Sequence, residues 1–312
     1  MKILVPSIVD LAGELHPLVH VERYDPRAPL PAEHRDAEAI VTWGNSPENL
    51  DSLRSLDRLR WVQALSAGVD HVLKIDVPDD VIVTSGSGLH DRTVTEHATA
   101  LALTLLRRMP EAAAAQRRHE WSSDIGGVQP LRPEGRVTSF IDANVTIWGF
   151  GNIGQNLAGV LSMLGARVTG VARSAGERGG FPVVAESDIE GVLEGTDVLI
   201  MVLPSTDETR HALDAARIAA LPAHAYVVNV GRGSTLDEAA LAAALRAGDL
   251  AGAALDVTQT EPLPASSELW DTPNLILTPH AAGGRPDGAQ KLIRENLRAF
   301  LAGDPLRNVV TR

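Results

Sequence analysis

Short apolar runs separated by polar segments recur through the first part of the chain. The runs have the length and β-branched content of buried strands, and they lie at residues 3–5, 39–42, 61–65 and 81–84. We predict from them a small parallel sheet with its connecting segments, which makes one α/β unit.

A helical pattern follows at residues 93–109. Its larger side chains recur at helical spacing in an alanine-rich segment, namely Val94, Ala98, Leu101, Leu105 and Leu106. We predict one long helix that ends at Pro110, because a proline inside a helix removes a backbone donor.

A second and stronger alternation begins at Asn144. It predicts strands at 145–148, 167–172, 197–203, 225–230, 251–257 and 274–277, with helices at 153–164 and 237–247. Strands that alternate with helices indicate a parallel sheet covered on both faces. The tail, residues 286–301, again has a helical pattern.

Length and composition agree with two globular domains. The chain has 312 residues, of which 44% are hydrophobic and 22% charged, which suffices for two cores of ordinary size. Its net charge of −12 argues against nucleic-acid binding and against binding to anionic membranes, since both need a basic face.

The chain contains no cysteine, which excludes disulfides, thiolate nucleophiles and cysteine metal sites. The N-terminal residues predict a buried strand rather than a signal peptide, and no apolar run approaches the roughly 20 residues of a membrane-spanning helix. We therefore expect a cytoplasmic protein.

A glycine-rich turn stands between the predicted strand 145–148 and the helix that follows. Its sequence is Gly149-Phe-Gly151-Asn152-Ile153-Gly154. In this setting the glycines permit a tight turn, a close backbone approach to a pyrophosphate and close packing of helix on strand. A glycine turn selected for packing alone is the alternative, but the strand–turn–helix context favours a bound dinucleotide.

The end of the next strand indicates which dinucleotide binds. An acidic residue there would bond the ribose 2′-hydroxyl of NAD, but this chain has Arg173 and Ser174. A cation and a hydroxyl suit a 2′-phosphate, so we predict NADPH over NADH, with Arg178 as a weaker candidate. The alternatives are a solvated arginine and a relaxed preference that also admits NADH.

Three polar residues follow later strands of the same unit. Arg232 stands between two glycines, Glu261 follows Asp256 by five positions, and His280 follows Thr278-Pro279. Ligands of open α/β sheets bind at the carboxyl ends of strands, which favours a functional site. Each residue alone is weak evidence. The chain has ten histidines, and a single histidine after Thr-Pro is more often structural or solvated than catalytic.

The combination resembles the D-isomer-specific 2-hydroxyacid dehydrogenases, including the glyoxylate and hydroxypyruvate reductases. Six motifs carry the resemblance in the family's order: Ser66-Ala-Gly68-Val-Asp70, Thr95-Glu96-His97, the glycine turn, residues 229–233, residues 256–262 and residues 279–284. They span almost the whole chain.

The resemblance implies roles for the three polar residues. The arginine at position 232 would hold the substrate carboxylate and polarise its keto oxygen, and His280 would give that oxygen a proton. Glu261 would bond the other imidazole nitrogen, fix the tautomer and favour the imidazolium. This is general acid catalysis with electrostatic activation.

The same resemblance implies further binding residues. Backbone amides around Ala67, Gly68 and Val69 would bind the substrate carboxylate. Asp256 would contact the nicotinamide carboxamide, and the cofactor site would be lined by Pro204, Val230 and Gly283.

The implied architecture is α/β, with two Rossmann-like or flavodoxin-like doubly wound parallel-sheet domains and an active-site cleft between them. Residues 1–92 and 286–312 would form a discontinuous substrate-binding domain, and residues 93–285 the dinucleotide-binding domain. Family members usually dimerise through the cofactor domain with the long helix, so we expect a homodimer. Burial of that helix within one subunit is the alternative.

The expected activity is reduction of a small 2-keto acid to a D-2-hydroxy acid, with glyoxylate and hydroxypyruvate as first candidates and phenylpyruvate-like acids as second. Side chains near Trp43, Ser66 and His90 would set the preference. One rival is a dinucleotide-sensing binding protein of the corepressor kind, and another is a formate or phosphite dehydrogenase of the same fold. A metal-dependent hydrolase is disfavoured, because no predicted helix carries a pair of histidines at ligand spacing.

Overall fold

The structure is a computed structural model that describes residues 1–75 and 78–310. The chain divides into two compact units. Unit 1 consists of Met1–His90 with Arg285–Arg312, and unit 2 is Asp91–Gly284. Each unit is an α/β fold with its own sheet.

The strands run through both units in chain order. Unit 1 contains β1 (Lys2–Pro6), β2 (His20–Tyr24), β3 (Ala39–Thr42), β4 (Trp61–Ala64) and β5 (Ile82–Thr84). Unit 2 contains β6 (Asn144–Trp148), β7 (Arg167–Ala172), β8 (Gly176–Arg178), β9 (Phe181–Ala185), β10 (Val198–Met201), β11 (Tyr226–Asn229), β12 (Gly252–Leu255) and β13 (Leu275–Leu277).

The helices lie between the strands. In chain order they are α1 (Pro47–Asp51), α2 (Asp70–Leu73), α3 (Asp91–Leu106), α4 (Met109–Arg117), α5 (Asn152–Met163), α6 (Glu190–Leu193), α7 (Ala215–Ala220), α8 (Glu238–Ala247) and α9 (Ala289–Ala302). In the described part of the chain, no helix is both long enough and apolar enough to cross a membrane.

The sheet of unit 1 is parallel and has the order β2-β1-β3-β4-β5. Apolar clusters cover it on both faces, and α9 supplies Leu292, Ile293 and Leu297 to one of them. The terminal helix therefore packs within unit 1. Strand β2 was not predicted, because it is an edge strand whose exposed and half-buried positions break the apolar run.

The sheet of unit 2 has the order β13-β12-β11-β10-β6-β7-β9-β8. Its neighbouring strands are parallel except for β8, which pairs antiparallel with β9. Two apolar clusters cover its two faces. The prediction of two doubly wound α/β units is confirmed.

The winding of this sheet defines a binding crevice. From β6 the chain builds outward through β7 on one side, and it later returns to build β10 and its successors on the other side. A crevice opens at the carboxyl ends of the strands where the winding reverses. The glycine turn after β6 and Pro204 after β10 both lie at this point.

Strand ends differ from their predicted positions in a consistent way. The predicted strand 197–203 ends at Met201, and the predicted strand 251–257 ends at Leu255. Leu203 and Val257 are nonetheless buried, because the loops that leave this edge of the sheet are themselves packed. Apolar side chains alone do not distinguish a buried loop from a strand end.

The prediction that Pro110 ends the long helix was wrong. Helix α3 ends at Leu106, and Pro110 lies in the first turn of α4, after Arg108 with φ +52°. The fixed φ of proline fits the first turn of a helix, where its missing donor costs no hydrogen bond.

The β8–β9 hairpin was also missed. Its turn is Gly179-Gly180, with φ values of +61° and +82°. Two consecutive positive φ angles are typical of the two-residue turn whose backbone twist matches the twist of the two strands of a hairpin. The Gly-Gly pair carried the signal, but the three residues of β8 are too short to show alternation.

Candidate active site

The residues expected to act in unit 2 follow its strands at one edge of the sheet. Arg173 follows β7, Pro204 follows β10, and Val230 with Arg232 follows β11. Asp256 follows β12 and His280 follows β13. Because parallel strands end on the same edge, these residues are gathered along one crevice.

His280 and Glu261 are in direct contact. The Nδ1 atom of His280 lies 2.7 Å from Oε2 of Glu261, and Oε1 of Glu261 accepts the backbone N–H of Thr258 at 3.1 Å. The two side chains are 44% and 38% exposed. Because Nδ1 is bonded to Glu261, Nε2 is the ring nitrogen that can exchange a proton with a substrate.

The carboxyl of Glu261 is held in its ionised form. Burial raises the pKa of Glu261, but the bonds from His280 and Thr258, together with the positive charge of Arg232, lower that pKa below its ordinary value. An ionised carboxylate is a strong hydrogen-bond acceptor, so it can orient the ring of His280 through Nδ1.

The backbone of His280 is itself constrained. Its φ is +51°, in the left-handed region that non-glycine residues rarely occupy. The His280 N–H donates to the carbonyl oxygens of Asp256 at 2.8 Å and Thr278 at 3.0 Å. These bonds hold the residue in a conformation that aims its ring at Glu261.

Arg232 is presented by a tightly bonded turn. Asn229 is completely buried, and its side chain accepts from the Gly231 N–H at 3.0 Å and donates to the Arg232 carbonyl at 3.1 Å. Thr235 donates to the same carbonyl at 2.7 Å. The flanking glycines are needed for packing, since a Cβ at Gly231 would lie 2.6 Å from the Leu203 oxygen.

Asp256 anchors the segment that carries His280. Its carboxylate accepts the Thr278 hydroxyl at 2.6 Å, the Ala281 N–H at 2.8 Å and the Ala282 N–H at 3.0 Å. The residue is 1% exposed. The carboxylate predicted to contact the nicotinamide thus also fixes residues 278–282.

The glycine turn fits a dinucleotide pyrophosphate. Gly149 has φ +103°, and a Cβ there would lie 2.7 Å from the Val202 oxygen, whereas a Cβ at Gly154 would lie 2.6 Å from the Gly149 oxygen. A Cβ at Gly151 would meet nothing within 4 Å. Two glycines are therefore required by packing, and the third borders open space at the start of α5.

The helix start adds the donors that an anion needs. Gly151 is the N-cap of α5 and provides no side-chain cap. The first amides of a helix have no partner within the helix, and here they belong to Asn152, Ile153 and Gly154. Such a terminus attracts the negative charge of a pyrophosphate.

Arg173 and Ser174 leave the sheet after β7 as exposed side chains. Arg178, from the hairpin that was not predicted, donates to the Ser174 hydroxyl at 3.0 Å and to its carbonyl at 3.2 Å. The residue that we treated as the weaker candidate is thus bonded to Ser174.

The remaining cofactor residues are also at strand ends. Val230 is 6% exposed, the Pro204 carbonyl accepts the Thr209 hydroxyl at 2.7 Å, and Gly283 follows the Asp256-bonded amides. In unit 1, Ala67, Gly68 and Val69 form the loop between β4 and α2. Trp43 and His90 stack at 5.5 Å in the same unit, and His90 Nε2 lies 2.7 Å from the Leu65 carbonyl oxygen.

Glu238 is a site residue that sequence reasoning missed. It accepts the backbone N–H of Gln259 at 2.5 Å, in the loop that leads to Glu261. Burial, with repulsion from Glu261, raises the pKa of Glu238. A glutamate at the start of a helix is a common capping feature, so the sequence offers no signal that separates this residue from others of its kind.

Comparison with known proteins identifies the family. Residues 99–282 match the model of the NAD-binding domain of the D-isomer-specific 2-hydroxyacid dehydrogenases. This chain belongs to that family. The resemblance drawn from the six motifs is confirmed, and the enzyme is an NAD(P)-dependent oxidoreductase of the 2-hydroxyacid dehydrogenase kind.

The relatives cover nearly the whole enzyme. A glyoxylate reductase of Aeropyrum pernix is 31% identical over 98% of this chain and 93% of its own. A glyoxylate/hydroxypyruvate reductase A of Klebsiella pneumoniae is 35% identical over 90% and 88%. The solved structure of an NADPH-dependent glyoxylate/hydroxypyruvate reductase of Sinorhizobium meliloti, in complex with NADP and sulfate, has 28% identity, a TM-score of 0.83 and coverage of 99% and 98%. The enzyme is a 2-keto acid reductase with a dinucleotide cofactor.

Proposed function

We propose that this dehydrogenase reduces glyoxylate or hydroxypyruvate to the corresponding 2-hydroxy acid, in the D configuration where the product is chiral, with NADPH as its preferred cofactor. The observation that carries the proposal is the 2.7 Å contact of His280 Nδ1 with Glu261, near the charge of Arg232. Relatives that act on these two acids supply the substrate class.

His280 is the proposed general acid. Glu261 occupies Nδ1, so the proton on Nε2 passes to the keto oxygen, and the ionised Glu261 carboxylate stabilises the imidazolium that supplies it. In the reverse direction Nε2 takes the proton back. The cofactor, when bound, supplies the hydride.

Arg232 is the proposed substrate clamp. A guanidinium can donate two parallel N–H bonds to a carboxylate, which a lysine cannot. The same positive charge polarises the keto carbonyl of a bound 2-keto acid. Backbone amides of Ala67, Gly68 and Val69 are proposed as further donors to the substrate carboxylate.

The proposed cofactor site uses the crevice of unit 2. The amides of Asn152 and Ile153 with Gly151 would receive the pyrophosphate, and Asp256, Pro204, Val230 and Gly283 would line the nicotinamide side. Arg173, Ser174 and Arg178 would receive the 2′-phosphate. Their two guanidinium groups favour NADPH over NADH.

We also propose that the enzyme is a homodimer assembled through unit 2. The support is a pair of apolar side chains, Trp121 and Val128, that are 99% and 107% exposed in that unit. Contiguous exposed apolar surface is typical of an interaction site, and we infer that these two side chains belong to such a surface. A second copy of the chain would cover them.

The test of the proposed reaction is the initial rate of cofactor oxidation with glyoxylate, hydroxypyruvate, pyruvate and phenylpyruvate, each with NADPH and NADH. We expect the first two acids with NADPH to give the largest kcat/KM. A preference for phenylpyruvate would contradict the substrate assignment, and dinucleotide binding without turnover of any keto acid would favour a sensing role.

A further inference from the structure

The Thr95-Glu96-His97 motif has no role in the reaction proposed above, but the structure places His97 beside the segment that carries His280. His97 lies on α3, and its Nε2 is 3.0 Å from the Thr278 hydroxyl oxygen and 3.1 Å from Oδ1 of Asp256. The side chain of Asp256 is completely buried and that of His97 is 23% exposed.

The hydrogen positions in this cluster follow from valence. The Thr278 hydroxyl has one proton, and at 2.6 Å from Oδ1 it donates that proton to the Asp256 carboxylate. The hydroxyl oxygen is then an acceptor toward His97. Nε2 of His97 therefore carries a hydrogen and donates to Thr278, to Asp256 or to both.

The Asp256 carboxylate links this donor to the catalytic segment. It accepts the amides of Ala281 and Ala282, while the Asp256 carbonyl accepts the amide of His280. A buried carboxylate is stable only when its lone pairs are filled. His97 supplies a donor that the backbone of residues 278–282 does not.

We propose that His97 is a positioning residue that acts through Thr278 and Asp256 to hold His280 in its left-handed conformation. The inference rests on the proposed role of His280 as the general acid. In this scheme His97 contacts neither Nε2 of His280 nor the keto oxygen of the substrate. Its contribution is to keep residues 278–282 in one arrangement, which lowers the reorganisation needed before proton transfer.

The test compares His97→Ala with His97→Gln, whose side-chain amide can place a donor near the position of Nε2. In the full-length enzyme we expect kcat of His97→Ala to fall about 10-fold, the effect of a 1.4 kcal/mol loss, with KM for the keto acid changed less than about 2-fold. His97→Gln should recover most of the loss.

The control is His224→Ala. His224 Nε2 also contacts a buried aspartate, Asp197, at 2.9 Å in unit 2, but at the amino ends of the strands. Its removal should cost similar stability and leave kcat unchanged. A fall in kcat of equal size in His224→Ala, or no recovery in His97→Gln, would overturn the inference.

Amide hydrogen exchange gives a second readout that does not need turnover. Exchange at residues 280–282 should be faster in His97→Ala than in the wild type and unchanged in His224→Ala. Unchanged exchange in His97→Ala, or a wild-type kcat in that variant, would overturn the inference. If the wild type reduces no 2-keto acid, the proposed function fails, and exchange alone then decides whether His97 holds the segment.

Discussion

At the scale of single residues, the site consists of charged groups that are held in place by polar neighbours. Glu261 is bonded by His280 and Thr258, and the Arg232 carbonyl is bonded by Asn229 and Thr235. These hydrogen bonds hold the two residues in place, and the Arg232 guanidinium also donates to the Gly231 carbonyl at 2.8 Å. Such support limits the motion of catalytic groups, which is the condition for efficient proton transfer.

The proposed preference for NADPH depends on single residues after β7. We expect Arg173→Ala to raise KM for NADPH about 10-fold or more, since a charge-assisted bond contributes about 1.5–3 kcal/mol, and to leave KM for NADH unchanged. Arg178→Ala should act in the same direction because Arg178 is bonded to Ser174. The measurement is steady-state kinetics with both cofactors, and equal losses for NADPH and NADH would contradict it.

At the scale of elements, the glycines of the turn between β6 and α5 have different roles: Gly154 is needed for packing, and Gly151 borders the proposed binding space. Gly151→Ala should raise Kd for NADPH about 10-fold, a cost of 1.4 kcal/mol, because the new methyl group would enter the open space. It should destabilise the fold by less than about 1 kcal/mol.

Gly154→Ala is the matched variant. Its Cβ would lie 2.6 Å from the Gly149 oxygen, so we expect a loss of about 2 kcal/mol in the free energy of unfolding. Urea unfolding and fluorescence titration of NADPH measure the two quantities. Equal destabilisation by the two substitutions would show that Gly151 is also a packing residue.

The start of β10 depends on an ionised aspartate. Burial raises the pKa of Asp197, but Arg132, the amide of Asn144 and His224 lower that pKa below its ordinary value. A lowered pKa stabilises the fold above the unfolded value of about 3.9, and this contribution is lost as pH falls through the folded value.

Asp197→Asn should therefore cost about 2 kcal/mol near pH 7, from charged hydrogen bonds lost, and less as pH falls below about 4. Urea unfolding at several pH values measures the difference from the wild type. The control is Asp142→Asn, whose side chain is 61% exposed. A difference that stays constant down to about pH 3 would contradict the assignment.

The elements differ in how far the sequence predicts them. The buried strands of unit 2 consist mainly of buried apolar side chains, so β6, β7 and β11 were found. Edge strands β2 and β8 have no such run, since most of their side chains are polar and exposed or half-buried. The break between α3 and α4 depends on a left-handed Arg108 that no local pattern indicates.

The site residues also differ in how far the sequence predicts them. Arg232, Glu261 and His280 were selected because each follows a strand, and parallel strands bring their ends together. The partners of Asp256 were not predictable, because His97 lies 159 positions before it and meets it only through the packing of α3. Glu238 was missed because a glutamate at the start of a helix is common and gives no separate signal.

At the scale of the whole molecule, the proposed homodimer can be tested through its two exposed apolar side chains. We expect the wild type to sediment as a dimer and the double variant Trp121→Asp, Val128→Asp to sediment as a monomer, because two charges would be buried in the interface. The control Met163→Asp changes a side chain that is 81% exposed elsewhere in unit 2. A monomeric wild type would contradict the proposal.

Net charge bears on how the whole molecule meets its ligands. The chain carries −12, yet both proposed ligands are anions. The cations Arg173, Arg178 and Arg232 and the α5 N-terminus must therefore make a local positive field against the overall charge. This places the recognition of substrate and cofactor in a few groups along one edge of the sheet.

His280, supported by Glu261, is proposed to protonate a 2-keto acid as the keto carbon receives hydride. The most direct measurement uses NADPH in which both hydrogens of the reactive ring carbon are deuterium, since only one is transferred, and follows the hydroxy acid by mass spectrometry. We predict one deuterium on the former keto carbon with the wild type and Glu261→Asp, and at least about 100-fold slower labelling with His280→Ala. Undiminished labelling by His280→Ala, or NADPH oxidation without label in the product, would contradict the account.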